Sequence, residues 1–217
     1  MANEFEAPQL RPTERGGRSV VAATFVTLDG YMVGPDEDIS WVAVGFDPEM
    51  QADLAESMIS EFDLFLFGRV TYDMFAEYWP NAVPYDEGDD VRPSEGKEDP
   101  RIIRALNELP KLVLSKTLDR PEWNNTRVID DGLEDEIRRL KKEAGKAISI
   151  QGSASIVQAL ERADLIDEYR LFVHPVLLGD GKPLFATGIN RQDFELARIK
   201  PYANGVVAMT YRRKEVA

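Results

Sequence analysis

Three short segments of the 217-residue chain share one design, in which a buried strand ends in small or polar residues and a helix begins. They are Phe67-Gly68-Arg69-Val70-Thr71-Tyr72, Leu114-Ser115-Lys116 and Ile150-Gln151-Gly152-Ser153-Ala154-Ser155. Glycine at 68 and 152 permits close approach to the main chain. Where a helix starts straight after such a strand, its free N–H groups favour an anion such as a phosphate. Arg69, Ser115 and Lys116 add two cations and a hydroxyl, a set suited to a phosphate monoester. Each segment alone also reads as plain turn chemistry, with Ser153 a simple helix cap. The chain has no G-x-x-x-x-G-K-[ST] and no G-x-G-x-x-G. A nucleoside triphosphatase and an ordinary Rossmann fingerprint are therefore disfavoured.

Other residues carry chemistry singly. Asp29 can bond a substrate or help protonate it, or simply make a turn with Gly30. Asp53 can supply a proton if burial raises its pKa, although a carboxylate on a helix is more often solvated. Trp41 and Phe46 offer an aromatic wall for a heterocyclic substrate, or else core packing. His174 sits in a strand before Pro175, where a structural role is favoured over acid–base work.

The elements that must place these residues are legible from periodicity. Residues 20–26 are rich in β-branched and small apolar types and read as a buried strand. Asp47-Pro48 reads as an N-cap with proline at the first helical position, opening a helix to about residue 61. Residues 63–67 form a short apolar strand, and a helix follows over 69–77. Further strands are expected at 111–115, 127–129, 147–150 and 168–178. Helices are expected at 101–108, after Asp130 and Asp131 as caps, and after Ser153. The end reads as a hairpin, 194–200 and 206–212, around Asn204-Gly205. Strands alternating with helices imply a mostly parallel sheet with helices on both faces. Such sheets bind ligands beyond the carboxyl ends of their strands.

Composition narrows the function further. Apolar residues make up 43% and charged residues 30%, which fits a globular chain rather than a disordered one. A net charge of −13 repels phosphate backbones and anionic lipid heads, so neither nucleic acid nor a membrane is expected as a partner. The absence of cysteine removes disulfides, thiolate metal sites and a Cys nucleophile, and one histidine is too few for a His-rich metal site. Residues 1–18 read as a flexible tail, and 19–217 as one domain. Seven acids and two bases between 85 and 99 mark an acidic surface insertion at about 80–100. No secretion signal or membrane span is read, so a cytoplasmic location is expected.

Five motifs then occur in order. They are Thr24-Phe25-Val26-Thr27-Leu28-Asp29-Gly30-Tyr31, Leu66-Phe67-Gly68-Arg69-Val70-Thr71-Tyr72, Leu112-Val113-Leu114-Ser115-Lys116, Gln151-Gly152-Ser153-Ala154-Ser155-Ile156, and His174-Pro175-Val176-Leu177-Leu178-Gly179-Asp180-Gly181. Together they resemble the dihydrofolate reductase-like superfamily. The nearer likeness is to stand-alone relatives of the RibD C-terminal domain, the riboflavin-biosynthesis reductase, over about residues 19–213. The resemblance implies an α/β three-layer sandwich with a C-terminal antiparallel hairpin, and NADPH as cofactor. By motif match, Gly68, Arg69, Val70 and Thr71 would meet the pyrophosphate and 2′-phosphate. Leu114, Ser115 and Lys116 would flank the adenine ribose. Ile150 and Gly152 to Ile156 would line the pyrophosphate and nicotinamide side, and Ala23 and Thr24 would touch the nicotinamide. Gln151-Gly152 stands where dihydrofolate reductases carry a Gly-Gly pair. No zinc-deaminase signature accompanies the reductase motifs.

The implied function is hydride transfer from NADPH to a small pterin-like or flavin-precursor-like heterocycle, with Asp29 or Asp53 as candidate proton donors. A nucleotide- or pterin-binding protein without turnover is the alternative, and a structural protein with a degenerate groove is a third reading. A homodimer is expected, because sheet edges invite pairing.

Overall fold

The computed structural model describes residues 17–42, 47–85 and 97–214. Its centre is an eight-stranded mixed sheet. In chain order its strands are β1 (Val20–Thr27), β3 (Phe62–Gly68), β6 (Lys111–Leu114), β7 (Thr126–Ile129), β8 (Ala147–Ile150), β9 (Glu168–His174), β11 (Phe194–Pro201) and β12 (Val207–Arg213). The spatial order is β11-β12-β9-β1-β8-β3-β6-β7. The six strands from β9 to β7 are parallel, and the β11–β12 hairpin joins antiparallel to β9. Two small pairs lie outside the sheet. β2 (Tyr31–Val33) pairs with β10 (Lys182–Pro183), and β4 (Val83–Pro84) with β5 (Lys97–Glu98).

Strand alternation sorts the core into two layers. Leu64 and Leu66 of β3 face one side with Ile148 and Ile150 of β8. There they meet α4 (Leu133–Leu140) and α5 (Ala154–Arg162) through Ile137, Leu140, Ile156, Val157 and Leu160. Phe65 and Phe67 face the other side. They meet α1 (Pro48–Ser60), α2 (Arg69–Tyr78) and α3 (Pro100–Glu108) through Ala55, Tyr72, Ile102 and Leu106. The expected helices on both faces are present.

Local chemistry explains most boundaries. Asp47 caps α1, its Oδ1 accepting from the amides of Glu49 and Met50 at 2.9 and 3.0 Å. Its Oδ2 accepts from Ala203 N at 2.9 Å, which ties the helix start to the hairpin turn. Asp99 caps α3 in the same way, so the end of the acidic insertion is built into the fold. Three boundary expectations need correction. Gly132, in a left-handed conformation (φ 63°), opens α4 in place of Asp130 or Asp131. Ser153 stands at the start of α5 without capping it by its side chain. β9 ends at His174 rather than near 178, because Pro175 has no N–H for a ladder and Asp29 captures the amides of Leu178 and Gly179. Residues 1–16, most of the expected tail, and 86–96, most of the insertion, lie outside the described residues.

Candidate active site

β8, β3 and β6 are neighbours, so the three segments emerge side by side at one edge of the sheet. Helices follow β8 and β3 as expected, but the expected helix after Leu114-Ser115-Lys116 is absent: Ser115 Oγ takes the amides of Thr117 and Leu118 in a turn, and the chain runs on to β7. β1 stands next in the row. Its pairing with β8 ends at Ala22 opposite Ile150, while its pairing with β9 continues to Thr27 opposite His174. Ala23 and the residues beyond it therefore pass the turn after β8 with no ladder between them.

That turn is fixed by two glycines. The amide of Gly68 donates to the carbonyl of Gly152 at 3.0 Å, joining the ends of β3 and β8. A Cβ on Gly68 would lie 2.4 Å from Ser153 Oγ. Gly152 has φ +113°, and a Cβ there would meet Thr71 Oγ1 at 3.0 Å. A cis peptide links Gly152 to Ser153. Close approach of the first turns of α2 and α5 thus excludes side chains at both positions. Ser153 Oγ bonds Ser155 Oγ at 2.7 Å instead of a backbone amide. Neither α2 nor α5 has a side-chain cap, so both present uncapped N–H groups at this edge.

The cations differ in freedom. Arg69 Nε donates to both oxygens of Asp73, at 2.8 and 2.7 Å, and its Nη1 donates to Thr117 Oγ1 at 3.3 Å. The guanidinium therefore spans from α2 to the loop after β6. Lys116 is exposed and its ammonium has no ion-pair partner among the described residues. Ser115 is buried, and its Oγ accepts from the amides of Thr117 and Leu118 at 3.2 and 3.1 Å. Its hydroxyl proton remains available to a ligand. Val70 is largely exposed on α2, and Leu114 is half-buried. Ile150, Ala154 and Ile156 are buried, so they support the edge from below and offer a ligand only main-chain atoms. Thr24 is buried, its hydroxyl donating to the Phe25 carbonyl at 3.3 Å.

The two candidate proton donors sit elsewhere in the chemistry. Asp29 accepts from the Thr27 hydroxyl, from Gly179 N at 2.8 Å and from Leu178 N at 3.1 Å. The Thr27 hydroxyl, followed by the Gly179 amide, holds its carboxyl below the usual carboxylate range. It is a loop clamp that carries no proton at neutral pH. Asp53 accepts from Lys200 Nζ at 2.5 Å and the Tyr202 hydroxyl at 2.8 Å. Burial, then the bond to Asp53, pushes the Tyr202 hydroxyl above the ordinary tyrosine range. Asp53 lines a groove of about 740 Å³ between α1 and strands β9, β11 and β12, and Ala23 of β1 lines the same groove, whereas none of the residues of the glycine turns does. Much of the charge in that groove is already paired, Arg170 with Glu61 and Glu168, and Arg212 with Glu168. The strand-end row, where Lys116 has no ion-pair partner among the described residues, is the better anion site.

Trp41 is buried, with its ring centroid 5.1 Å from that of His174. Phe46 lies outside the described residues. Sequence reasoning missed two features. Thr117 braces Arg69, and nothing in its local pattern signals that. The nitrogens of His174 are both buried and, among the described residues, without a hydrogen-bond partner, which only the packing of Trp41 and Phe25 around the ring reveals.

A family model described as the RibD C-terminal domain matches residues 18–208. YyaP of Bacillus subtilis (strain 168), an uncharacterized protein, is 30% identical over 194 residues, 89% of this chain and 94% of YyaP. A pyrimidine reductase-like protein from Corynebacterium diphtheriae superposes with a TM-score of 0.62 at 15% identity, covering 96% of each chain. Dihydrofolate reductase from Enterococcus faecalis, solved with NADP(H), superposes with a TM-score of 0.56 at 12% identity, covering 91% of this chain and 97% of that one. These two likenesses establish the fold, which is dihydrofolate reductase-like.

Proposed function

The chain belongs to the RibD C-terminal domain family, and on that footing we propose that it is an NADPH-dependent reductase of a small pterin-like or flavin-precursor-like heterocycle. The observation that carries the reading is the row β1-β8-β3-β6, where two uncapped helix starts and the Ser115-Lys116 turn stand at neighbouring strand ends. Three strand spacings span about 14 Å, enough to accommodate an extended dinucleotide. Gly68 and Gly152 leave a cradle that a Cβ would fill, and Lys116 brings an unspent positive charge, so the residues present fit the cofactor.

When bound, NADPH supplies a hydride from its nicotinamide. The uncapped amides of α2 and α5 hold the pyrophosphate. Arg69, already braced by Asp73 and Thr117, and Lys116 hold the 2′-phosphate, with Ser115 beside the ribose. Ala23 and Thr24 bound the nicotinamide where β1 leaves β8. The protein orients the two reactants rather than reacting itself. The likeness to a pyrimidine reductase-like protein supports a heterocyclic substrate. We place the enzyme in the cytoplasm as a homodimer. Among the described residues no helix is long and apolar enough to cross a membrane.

NADPH oxidation with a panel of dihydropterins, dihydrofolate and ribosylaminopyrimidines tests the reading. Saturable turnover of one class supports it, and absence of turnover with every class contradicts it. The clamped state of Asp29 and the pairing of Asp53 favour a second reading, a binding protein without turnover. Tight, saturable NADPH binding without any oxidation would select that alternative.

A further inference from the structure

A second pocket, of about 540 Å³, lies where the last turn of α5, the segment from Gly188 to Asp193 and the end of β12 meet. α5 begins at the turn after β8, so this pocket and the proposed cofactor edge stand at opposite ends of one helix. Two of the side chains lining the pocket carry a buried polar atom with nothing to bond. Glu161 is 2% exposed, and neither its Oε2 nor the Nε of Arg213 has a hydrogen-bond partner among the described residues. Folded proteins pair nearly all such atoms. Burial pushes the Glu161 carboxyl up, and the nearby Tyr169 hydroxyl and the charges of Arg213 and Arg162 offset only part of that.

Most of the remaining charge is already committed. Arg213 Nη1 donates to Asp164 Oδ1 at 2.7 Å and its Nη2 to Gln192 Oε1 at 2.8 Å, while Arg191 pairs with Asp193 at 3.1 Å. Arg162 has no ion pair within hydrogen-bonding reach among the described residues. The atoms left over define the ligand. A buried carboxylate oxygen is best satisfied by a cationic donor, and a guanidinium N–H by an anionic acceptor. Arg213 lies close enough for its charge to act on the Glu161 carboxyl, so the two missing partners belong on one small molecule.

We propose that this pocket binds a free α-amino acid, its ammonium donating to Glu161 Oε2 and its carboxylate accepting from Arg213 Nε. Arg162 adds positive charge on the carboxylate side. A zwitterion brings no net charge, so the charge balance of the pocket is kept. The volume takes an amino-acid side chain as well, whereas one water fills only about 30 Å³ of it. Both unpartnered atoms are sealed from solvent, and the irregular segment 188–193, with Gln192 bonded to Arg213, is the wall that yields to admit the ligand. This site is independent of the reductase reading.

The test is a calorimetric titration of the full chain with each common L-amino acid. The des-amino acid and the decarboxylated amine of the tightest binder follow. At least one amino acid should bind with a millimolar or lower Kd. Each truncated analogue should lose about tenfold or more, because it leaves a charged group unpaired. Glu161→Gln keeps the shape and removes the charge, and should weaken binding about tenfold or more. Arg162→Ala, at an exposed position, should weaken it severalfold. If the melting profile shows that Glu161→Gln does not fold, Arg162→Ala and the truncated analogues carry the test. No binding in the millimolar range, truncated analogues that bind as tightly as the parent, or binding unchanged in the folded variants would overturn the assignment. A pocket holding only a water between Glu161 and Arg213 gives the first of those results. None of these readouts depends on NADPH, so their failure and the failure of the reductase reading are separate.

Discussion

The Gly68 amide bonds the Gly152 carbonyl at 3.0 Å, and the missing Gly68 side chain leaves the space that Ser153 Oγ occupies. Gly68→Ala puts a Cβ 2.4 Å from that oxygen. Overpacking of this kind costs about 1–3 kcal/mol. Because the strain falls where two helix starts meet the cofactor, NADPH affinity should drop about tenfold or more. Ser153→Ala in the same chain should recover part of the loss, since it removes the clashing hydroxyl. Calorimetric titration of the single and double variants checks this. Full affinity in Gly68→Ala would mean the turn relaxes freely.

Asp29 is a clamp between β1 and the loop after β9. Asp29→Asn should keep turnover within about tenfold of wild type, short of the roughly 10²–10⁴-fold that loss of a general acid costs. It should also speed hydrogen exchange at the amides of Leu178 and Gly179, which lose a charged acceptor. Collapse of turnover with unchanged exchange would restore Asp29 as a proton donor.

Asp47 joins α1 to the hairpin through three backbone amides, those of Glu49, Met50 and Ala203. Loss of an N-cap costs about 1 kcal/mol, and an orphaned buried amide adds about 1–3 kcal/mol. Asp47→Ala should therefore lower unfolding free energy by about 2–3 kcal/mol in urea, with an unchanged denaturant slope. A loss below about 0.5 kcal/mol would show that water replaces the carboxylate.

Burial lowers the His174 pKa, and the sign of its pH effect follows. An unfolded histidine takes up its proton near pH 6.5. The folded state takes up the same proton only at lower pH. Between those two values the unfolded chain binds more protons, so acidification weakens the fold there. From about pH 7 to 5, wild type should lose more unfolding free energy than His174→Phe. Parallel pH profiles for the two proteins would mean that His174 titrates normally.

Much of this fold is legible in the sequence because its local signals agree with its packing. Residues 63–67 are a short continuous apolar run ended by Gly68, and Asp47-Pro48 states a helix start in two residues. The three turns were recognisable as a set because each follows an apolar run. What escapes the sequence depends on partners distant in the chain. Lys111 opens the expected strand at 111–115, but nothing local shows what partners its ammonium, which is carried inside at 1% exposure. Its Nζ donates to the carbonyls of Asn107, Leu109 and Asn124, and burial brings its pKa down to about 8. Asp29 and Asp53 look like available acids until Gly179 and Lys200, about 150 residues onward, are brought against them. Boundaries escape periodicity where a proline ends a strand, as after His174, or a left-handed glycine opens a helix, as at Gly132.

Titrating the protein with NADPH and with NADH, in wild type and in Arg69→Ala and Lys116→Ala, tests the central claim most directly. Tighter binding of NADPH than NADH is predicted, with the preference shrinking about tenfold in either variant. Binding of neither nucleotide, or equal binding untouched by both substitutions, would contradict a cofactor site along the β1-β8-β3-β6 edge.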